Sequence, residues 1–467
     1  MKTALAATLG VLLLAACAVA ALFASVPDAE VPERGELRIA HASLIEPGFR
    51  RRPDQTIAVT AGRIAAVESS RLTEQGGAFD GLFVMPGLVD LHVHLPPPAL
   101  PAELRTALLL FLAHGVTSVR EAGSPWAWSL ATRDRVRNGD LAGPRVFSCG
   151  PLLVGHESWP GAVVVTEMSE VRPVIERLRE QRVDCVKLLD SVSPAVAAAI
   201  REAAHSAGLR VIGHAPSASD RLILDEVQHL TGLEAAMRTR HPAALAKAIE
   251  DSLAEGVAHT PTLVVLERFA RAYEGRSRCD AACRFLPRYF EAVLWDPRRI
   301  PALEAMVTDL GFSPSVRFEA AKEVVKALAE GGVPILAGTD SPTFHIVPGA
   351  SLQEEIRLLH EAGLSAENAL AAGTTRASRV LGEAGLGRIQ PGAPADLVVL
   401  RSDPVESIET GLPLEIAAVV AGGRLYSIAD LESSLRDYEH FFADSAYATA
   451  AEALARALFP VVANPPD

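Results

Sequence analysis

Six residues of this sequence have side chains that bind divalent cations or work beside them, and each closes a short apolar run. His92 and His94 stand in Leu88-Val89-Asp90-Leu91-His92-Val93-His94. Two histidines one residue apart on a strand face the same side, because side chains alternate with period two. Four more runs end on one candidate each: Lys187 in Asp184-Cys185-Val186-Lys187-Leu188, His214 in Val211-Ile212-Gly213-His214, His229 in Glu226-Val227-Gln228-His229, and Asp340 in Ala337-Gly338-Thr339-Asp340. Imidazole nitrogens are ligands for zinc-like ions. An aspartate can bind a metal or carry a proton to and from a reacting group.

The elements that position these residues repeat. Strands are predicted at 88–94, 115–121, 145–150, 184–190, 210–215, 226–231, 260–265 and 333–339, and helix-like stretches separate most of them, as in 103–114, 171–181 and 194–207. Parallel neighbours need helical crossovers, so the alternation predicts a (β/α)8 barrel of the TIM type, with catalytic residues at the carboxyl ends of the strands. Residues 266–330 are expected to hold an inserted helical hairpin over the mouth, or an oligomer contact, and 430–458 to be helical. Short strands at 36–40 and 56–59 have counterparts at 395–400 and 416–420, so the two chain ends are expected to meet in one small composite β-sandwich. The resulting organisation is 1–27 as export signal or anchor, 28–87 with 386–430 as the sandwich, 88–385 as the barrel, and 431–467 as a helical tail.

At 467 residues with 49% hydrophobic content, the chain can bury a large core and a smaller second one. Its formal charge of -13 disfavours nucleic acid or an anionic membrane surface as a partner, and 5% aromatic content argues against base-stacking platforms. A small-molecule substrate is the expected partner.

After Lys2 no charge appears until Asp28. That apolar run is long enough for an export signal or a single span, which predicts an exported protein, periplasmic or membrane-anchored in a bacterium. Leu14-Ala15-Ala16-Cys17 resembles a bacterial lipobox with Cys17 as the lipidated residue, while an uncleaved anchor and cleavage near Ala20 or Ser25 stay open. Cys149 and Cys185 lie in apolar strand-like runs and are expected to be buried free thiols. Cys279 and Cys283 stand in a charged segment, where an oxidising compartment favours a local disulfide.

Taken together, Met85-Pro86-Gly87-Leu88-Val89-Asp90-Leu91-His92-Val93-His94, Val186-Lys187-Leu188, Ala337-Gly338-Thr339-Asp340-Ser341 and Gly392-Ala393-Pro394-Ala395-Asp396-Leu397-Val398-Val399-Leu400 resemble the metal-dependent amidohydrolase superfamily, in its imidazolonepropionase-like and prolidase-related branch. The resemblance implies two divalent cations, most suitably zinc, with His92 and His94 on the more buried one, His214 and His229 on the other, and Lys187 bridging both. An ammonium cannot ligate a cation. A carbamate formed from CO2 on Lys187 would offer one anionic oxygen to each metal. A water shared by two metals loses its proton near neutral pH, and Asp340 would align it and pass its proton to the leaving nitrogen.

A mononuclear deaminase also begins with His-x-His but has no use for Lys187. A lactone, carbamate or phosphotriester could be opened on the same metal pair, and an anchored binding protein with a vestigial site is the non-enzymatic alternative. Relatives in this branch cleave dipeptides ending in proline, cyclic amides and other small C–N bonds. Near the expected mouth, Arg120 and His156 are substrate-contact candidates, with Glu121 and Trp159 beside them. Arg120 could instead form an internal ion pair bracing the second strand.

Overall fold

The computed structural model describes residues 25–458 apart from 46–47, 49, 72–76, 125–127, 158–160, 217–221, 277–278, 280 and 297–312. The N-terminal run with Cys17, and Trp159, lie outside the described residues. Among the described residues no helix is long and apolar enough to cross a membrane.

In chain order the strands are β1 (Leu37–Ile45), β2 (Arg51–Thr60), β3 (Arg63–Ser69), β4 (Phe83–Pro86), β5 (Leu88–Val93), β6 (Val116–Glu121), β7 (Arg145–Ser148), β8 (Leu153–Val154), β9 (Val163–Val164), β10 (Cys185–Leu188), β11 (Arg210–Gly213), β12 (Glu226–Gln228), β13 (Ala258–Thr260), β14 (Leu397–Leu400), β15 (Ile416–Ala421) and β16 (Arg424–Ser427). Both chain ends contribute to one continuous seven-stranded sheet in the order β16-β15-β14-β4-β1-β2-β3. Its core holds Ile39, Leu44, Ile57, Val84, Leu397, Val399 and Val420.

Seven of the remaining strands, β5–β7 and β10–β13, join one further segment in a ring of eight parallel segments, while β8 and β9 extend from β10. Ladders join β5 to β6, β6 to β7, β10 to β11, β11 to β12 and β12 to β13. At the seam between β7 and β10 the Asp184 amide donates to the Ser148 carbonyl at 2.7 Å. The eighth segment reaches β13 through a parallel bridge, His259 to Ile335, and reaches β5 through a second one, Val93 to Ser341. Strands with helices outside and packed side chains inside are apolar on both faces, and every residue of β5, β6 and β10 is buried. The helix after β10, Pro194–Ser206, starts where Ser193 accepts from the Val196 amide and proline fills the first helical position.

Four expectations are corrected. Cys149 and Cys185 are not free thiols but are joined across the β7–β10 seam, with Cα atoms 4.3 Å apart. They come from neighbouring strands at the same level, a relation no local pattern reports. The expected strand at 260–265 stops at Thr260: Pro261 has no amide to donate, Thr262 turns left-handed (φ 50°), and the helix Leu263–Tyr273 follows. The strand expected at 333–339 is reduced to the bridge at Ile335. The C-terminal helix is two, Ile428–Asp444 and Ala446–Leu458, broken at the extended Ser445. Cys279 and Cys283 are joined.

Within the inserted region the helices Leu263–Tyr273 and Pro314–Glu330 pack on each other. The short helical turns between them pack against the C-terminal helices. There the buried Glu103 accepts from the hydroxyls of Tyr289 (2.9 Å) and Tyr447 (2.5 Å), tying the tail to the barrel.

Candidate metal centre

The strand ends bring the four histidines and Asp340 together at the carboxyl mouth of the barrel. His92 is 1% exposed on β5, and His94 follows immediately. Asp340 arrives from the eighth segment with φ 64°, held where its amide donates to the His92 carbonyl at 2.7 Å. Its Oδ1 lies 3.1 Å from His94 Nε2 and 3.5 Å from His92 Nε2. His229 also has positive φ (57°), which ends β12 and swings the ring inward to 4.7 Å from that of His92 between centroids. His214 lies 5.1 Å from His229 on the same measure. Gly213, before His214, has φ 147°, and a Cβ there would stand 2.1 Å from the Leu188 carbonyl, so only glycine lets β11 lie this close to β10.

Ligand atoms of His92, His229 and Asp340 all lie within 4.8 Å of one another, so these three could hold a metal ion. Imidazoles with a carboxylate are the donor set that suits zinc, and the fit is good on this side. Each of these histidines also has a partner for its second nitrogen. His92 Nδ1 meets Gln228 Oε1 at 2.6 Å, His94 Nδ1 meets the Gly123 carbonyl at 3.2 Å, and His229 Nδ1 meets Thr262 Oγ1 at 2.7 Å.

Electrostatics follow burial and neighbours. Burial keeps His92 and His214 well below the ordinary imidazole range, and lowers His229 to about 4. Burial would also lower His94, but hydrogen bonds to Asp340 and Glu121 push it up to about 9. Burial works to raise Asp340, and the His94 hydrogen bond with the surrounding cations brings it net below its ordinary value, so it is a carboxylate. Lys187 is 2% exposed on β10, and burial lowers it to about 7. Among the described residues no carboxylate lies within ion-pairing distance of its nitrogen.

Two other candidates do not join this cluster. Arg120 is buried and paired with both oxygens of Glu226, with Nη1 2.8 Å from Oε2, while its Nε donates to the Leu91 carbonyl at 2.8 Å. The guanidinium is committed to the inside of the barrel and is corrected from substrate contact to strand brace. His156 is exposed on the turn after β8. Sequence reasoning missed Asp90, which is fully buried and accepts from Thr339 Oγ1 (2.6 Å) and the Thr339 amide (3.0 Å), fastening β5 to the segment that carries Asp340. Its signal was present, since a lone acid inside an apolar strand needs a buried donor.

Comparisons with known proteins agree with this geometry. The model of the amidohydrolase family matches residues 83–426. An uncharacterized protein of Mycobacterium tuberculosis is 28% identical over 381 residues, covering 75% of this chain and 88% of that one. Among solved structures, a bottromycin amidohydrolase is 26% identical with a TM-score of 0.67, covering 88% of this chain and 91% of its own. A Xaa-Pro dipeptidase with bound methionine in its active site is 18% identical with a TM-score of 0.62, covering 84% and 100% respectively. The matched span runs from β4 through β16 and takes in every residue of the cluster, so the chain belongs to the amidohydrolase family of hydrolases.

Proposed function

We propose that this protein is an exported hydrolase that cleaves an amide or cyclic-amide C–N bond of a small molecule or dipeptide, using two divalent cations, most suitably zinc. His92 and His94 would hold one, His214 and His229 the other, and a carboxylated Lys187 both. The observation that carries the reading is the position of Asp340, an ionised carboxylate that reaches His92 and His94 at the barrel mouth. The bottromycin amidohydrolase and Xaa-Pro dipeptidase among the structural neighbours support an amide as the bond cleaved. Export is supported by the charge-free run between Lys2 and Asp28 and by two disulfides, which persist in oxidising compartments.

Cations held here supply Lewis acidity toward the scissile carbonyl and acidify water. The protein supplies the rest. Lys187, lowered to about 7, has a neutral amine available near physiological pH. Attack of that nitrogen on the carbon of CO2, with loss of one N–H proton to solvent, leaves a carbamate with anionic oxygens where a bare ammonium would repel a metal. Asp340, as a carboxylate, accepts the proton of the attacking water and returns it to the leaving nitrogen when the C–N bond breaks.

The test is elemental analysis of the purified protein together with a screen of N-acyl amino acids, Xaa-Pro dipeptides and cyclic imides, with and without chelator. About two metals per chain and amide turnover abolished by chelation are expected. Turnover without metal, or confined to lactones or phosphotriesters, would replace this reading.

A further inference from the structure

Behind His92 lies a chain of buried polar groups that runs in one direction. Arg120 pairs with both oxygens of Glu226. Glu226 Oε1 also accepts from Thr260 Oγ1 (2.5 Å) and from Gln228 Nε2 (2.8 Å). Gln228 Oε1 then meets His92 Nδ1 at 2.6 Å. Arg120, Glu226, Gln228, Thr260 and His92 are all at most 2% exposed.

The polarity of this chain is forced by what each group can do. An ionised carboxylate only accepts and a guanidinium only donates. Glu226, neutralised by Arg120, therefore takes the NH2 edge of the Gln228 amide, which leaves the carbonyl oxygen facing His92. A carbonyl oxygen accepts only, so His92 Nδ1 must carry the hydrogen and Nε2, on the Asp340 side, keeps its lone pair. With the amide turned over, its oxygen would oppose the Glu226 carboxylate and its NH2 would demand a lone pair on Nδ1. That would place the hydrogen on Nε2 and close His92 to a metal.

We propose that Gln228 is a positioning residue that fixes His92 in the Nδ1–H tautomer, and that the Arg120–Glu226 pair, locked further by Thr260, holds the Gln228 amide in the one orientation that does so. The arrangement explains why an ion pair is buried at the barrel centre, since such pairs are weak devices for stability. The side chain orienting His92 is an uncharged amide, so the proton on Nδ1 is shared with a group that cannot remove it. The inference rests on the hydrolase reading only in naming a metal as what Nε2 receives.

The test uses full-length protein labelled with [15N]histidine, with the His92 signals assigned by their loss in His92→Asn. In metal-free wild type, long-range 1H–15N correlations should show His92 as neutral with hydrogen on Nδ1. Gln228→Met, near in shape but with only a weakly accepting thioether in place of the carbonyl oxygen, should shift His92 toward Nε2–H. It should also weaken zinc binding by about 10- to 100-fold, the range for loss of a partner behind a metal-bound histidine. A melting curve of the metal-free variant establishes that it folds. Hydrogen on Nε2 in the wild type overturns the proposal, whether or not the variant folds. Retention of Nδ1–H in Gln228→Met, or a shift that leaves zinc affinity within about twofold against that expected range, also overturns it. If the wild type binds no zinc, the hydrolase reading fails, while the tautomer measurement still decides the role of Gln228.

Discussion

The two walls of the site differ in how complete they are before anything binds. On the wall formed by β5, β12 and the eighth segment, His92, His94 and His229 each have a partner for Nδ1, and Asp90 ties the backbone beneath them to Thr339. On the wall formed by β10 and β11, among the described residues neither the Lys187 ammonium nor the His214 ring nitrogens have a hydrogen-bond partner. Burying a lysine this way is unfavourable unless it is neutral or modified. The first wall is organised by its own side chains; the second is organised by what it takes up.

The largest effect should come from the finished wall. Asp340→Asn keeps the size of the side chain but cannot carry a proton, so turnover of an amide should fall by roughly 10²- to 10⁴-fold with most metal retained. The loss should be smaller for an aryl ester of the same acyl part, whose leaving group departs without protonation, as the ratio of kcat/KM losses would report. Equal losses on both would mean that Asp340 only shapes the site.

On the open wall, Lys187→Ala should lower metal affinity by more than the roughly 10- to 100-fold expected for an outlying partner. Added short carboxylates should restore part of the activity, because they can occupy the position of the carbamate. Full metal content and full activity in Lys187→Ala would erase the distinction between the walls.

The seam disulfide offers a milder perturbation of the same wall, since Cys185 is two residues before Lys187 on β10. Replacing Cys149 and Cys185 by serine should reduce unfolding stability by about 2–4 kcal/mol. It should loosen zinc binding in proportion to the mobility of β10, measured by denaturant titration and calorimetry. Unchanged stability would show that the backbone hydrogen bond at Asp184 closes the seam unaided.

The last contrast between the walls is a pH slope. Lys187 titrates at about 7 in the folded protein against an ordinary 10.5. Between these values the unfolded chain binds the extra proton, so the metal-free protein should gain stability as pH rises through that window. Below about pH 7 the full penalty of burying the ammonium is present. Lys187→Met should flatten the slope, as melting temperatures across the window would report.

Much of the site was legible in the sequence because it depends on local order. A strand exposes alternate residues to one face and ends at its carboxyl side in a parallel barrel. The types and positions of His92, His94, Lys187, His214, His229 and Asp340 therefore pointed to one mouth. The extent of the strands was less legible. Positive φ at His229 and Thr262 ends two segments early, and these are conformations imposed by the surroundings.

The sequence by itself determined which residues close the barrel strands, and that both chain ends meet in one small β unit, since alternation and apolar runs are properties of neighbours along the chain; that this unit, expected as a sandwich, is one continuous seven-stranded sheet came from the tertiary structure. Only the tertiary structure decided the partners. Cys149 found Cys185 across the seam, Arg120 found Glu226 at a separation of 106 residues, and Gln228 found His92 at a separation of 136. Each pairing depends on how one strand is placed against others around a closed ring, and a buried donor or acceptor takes whichever complement that placement brings within reach.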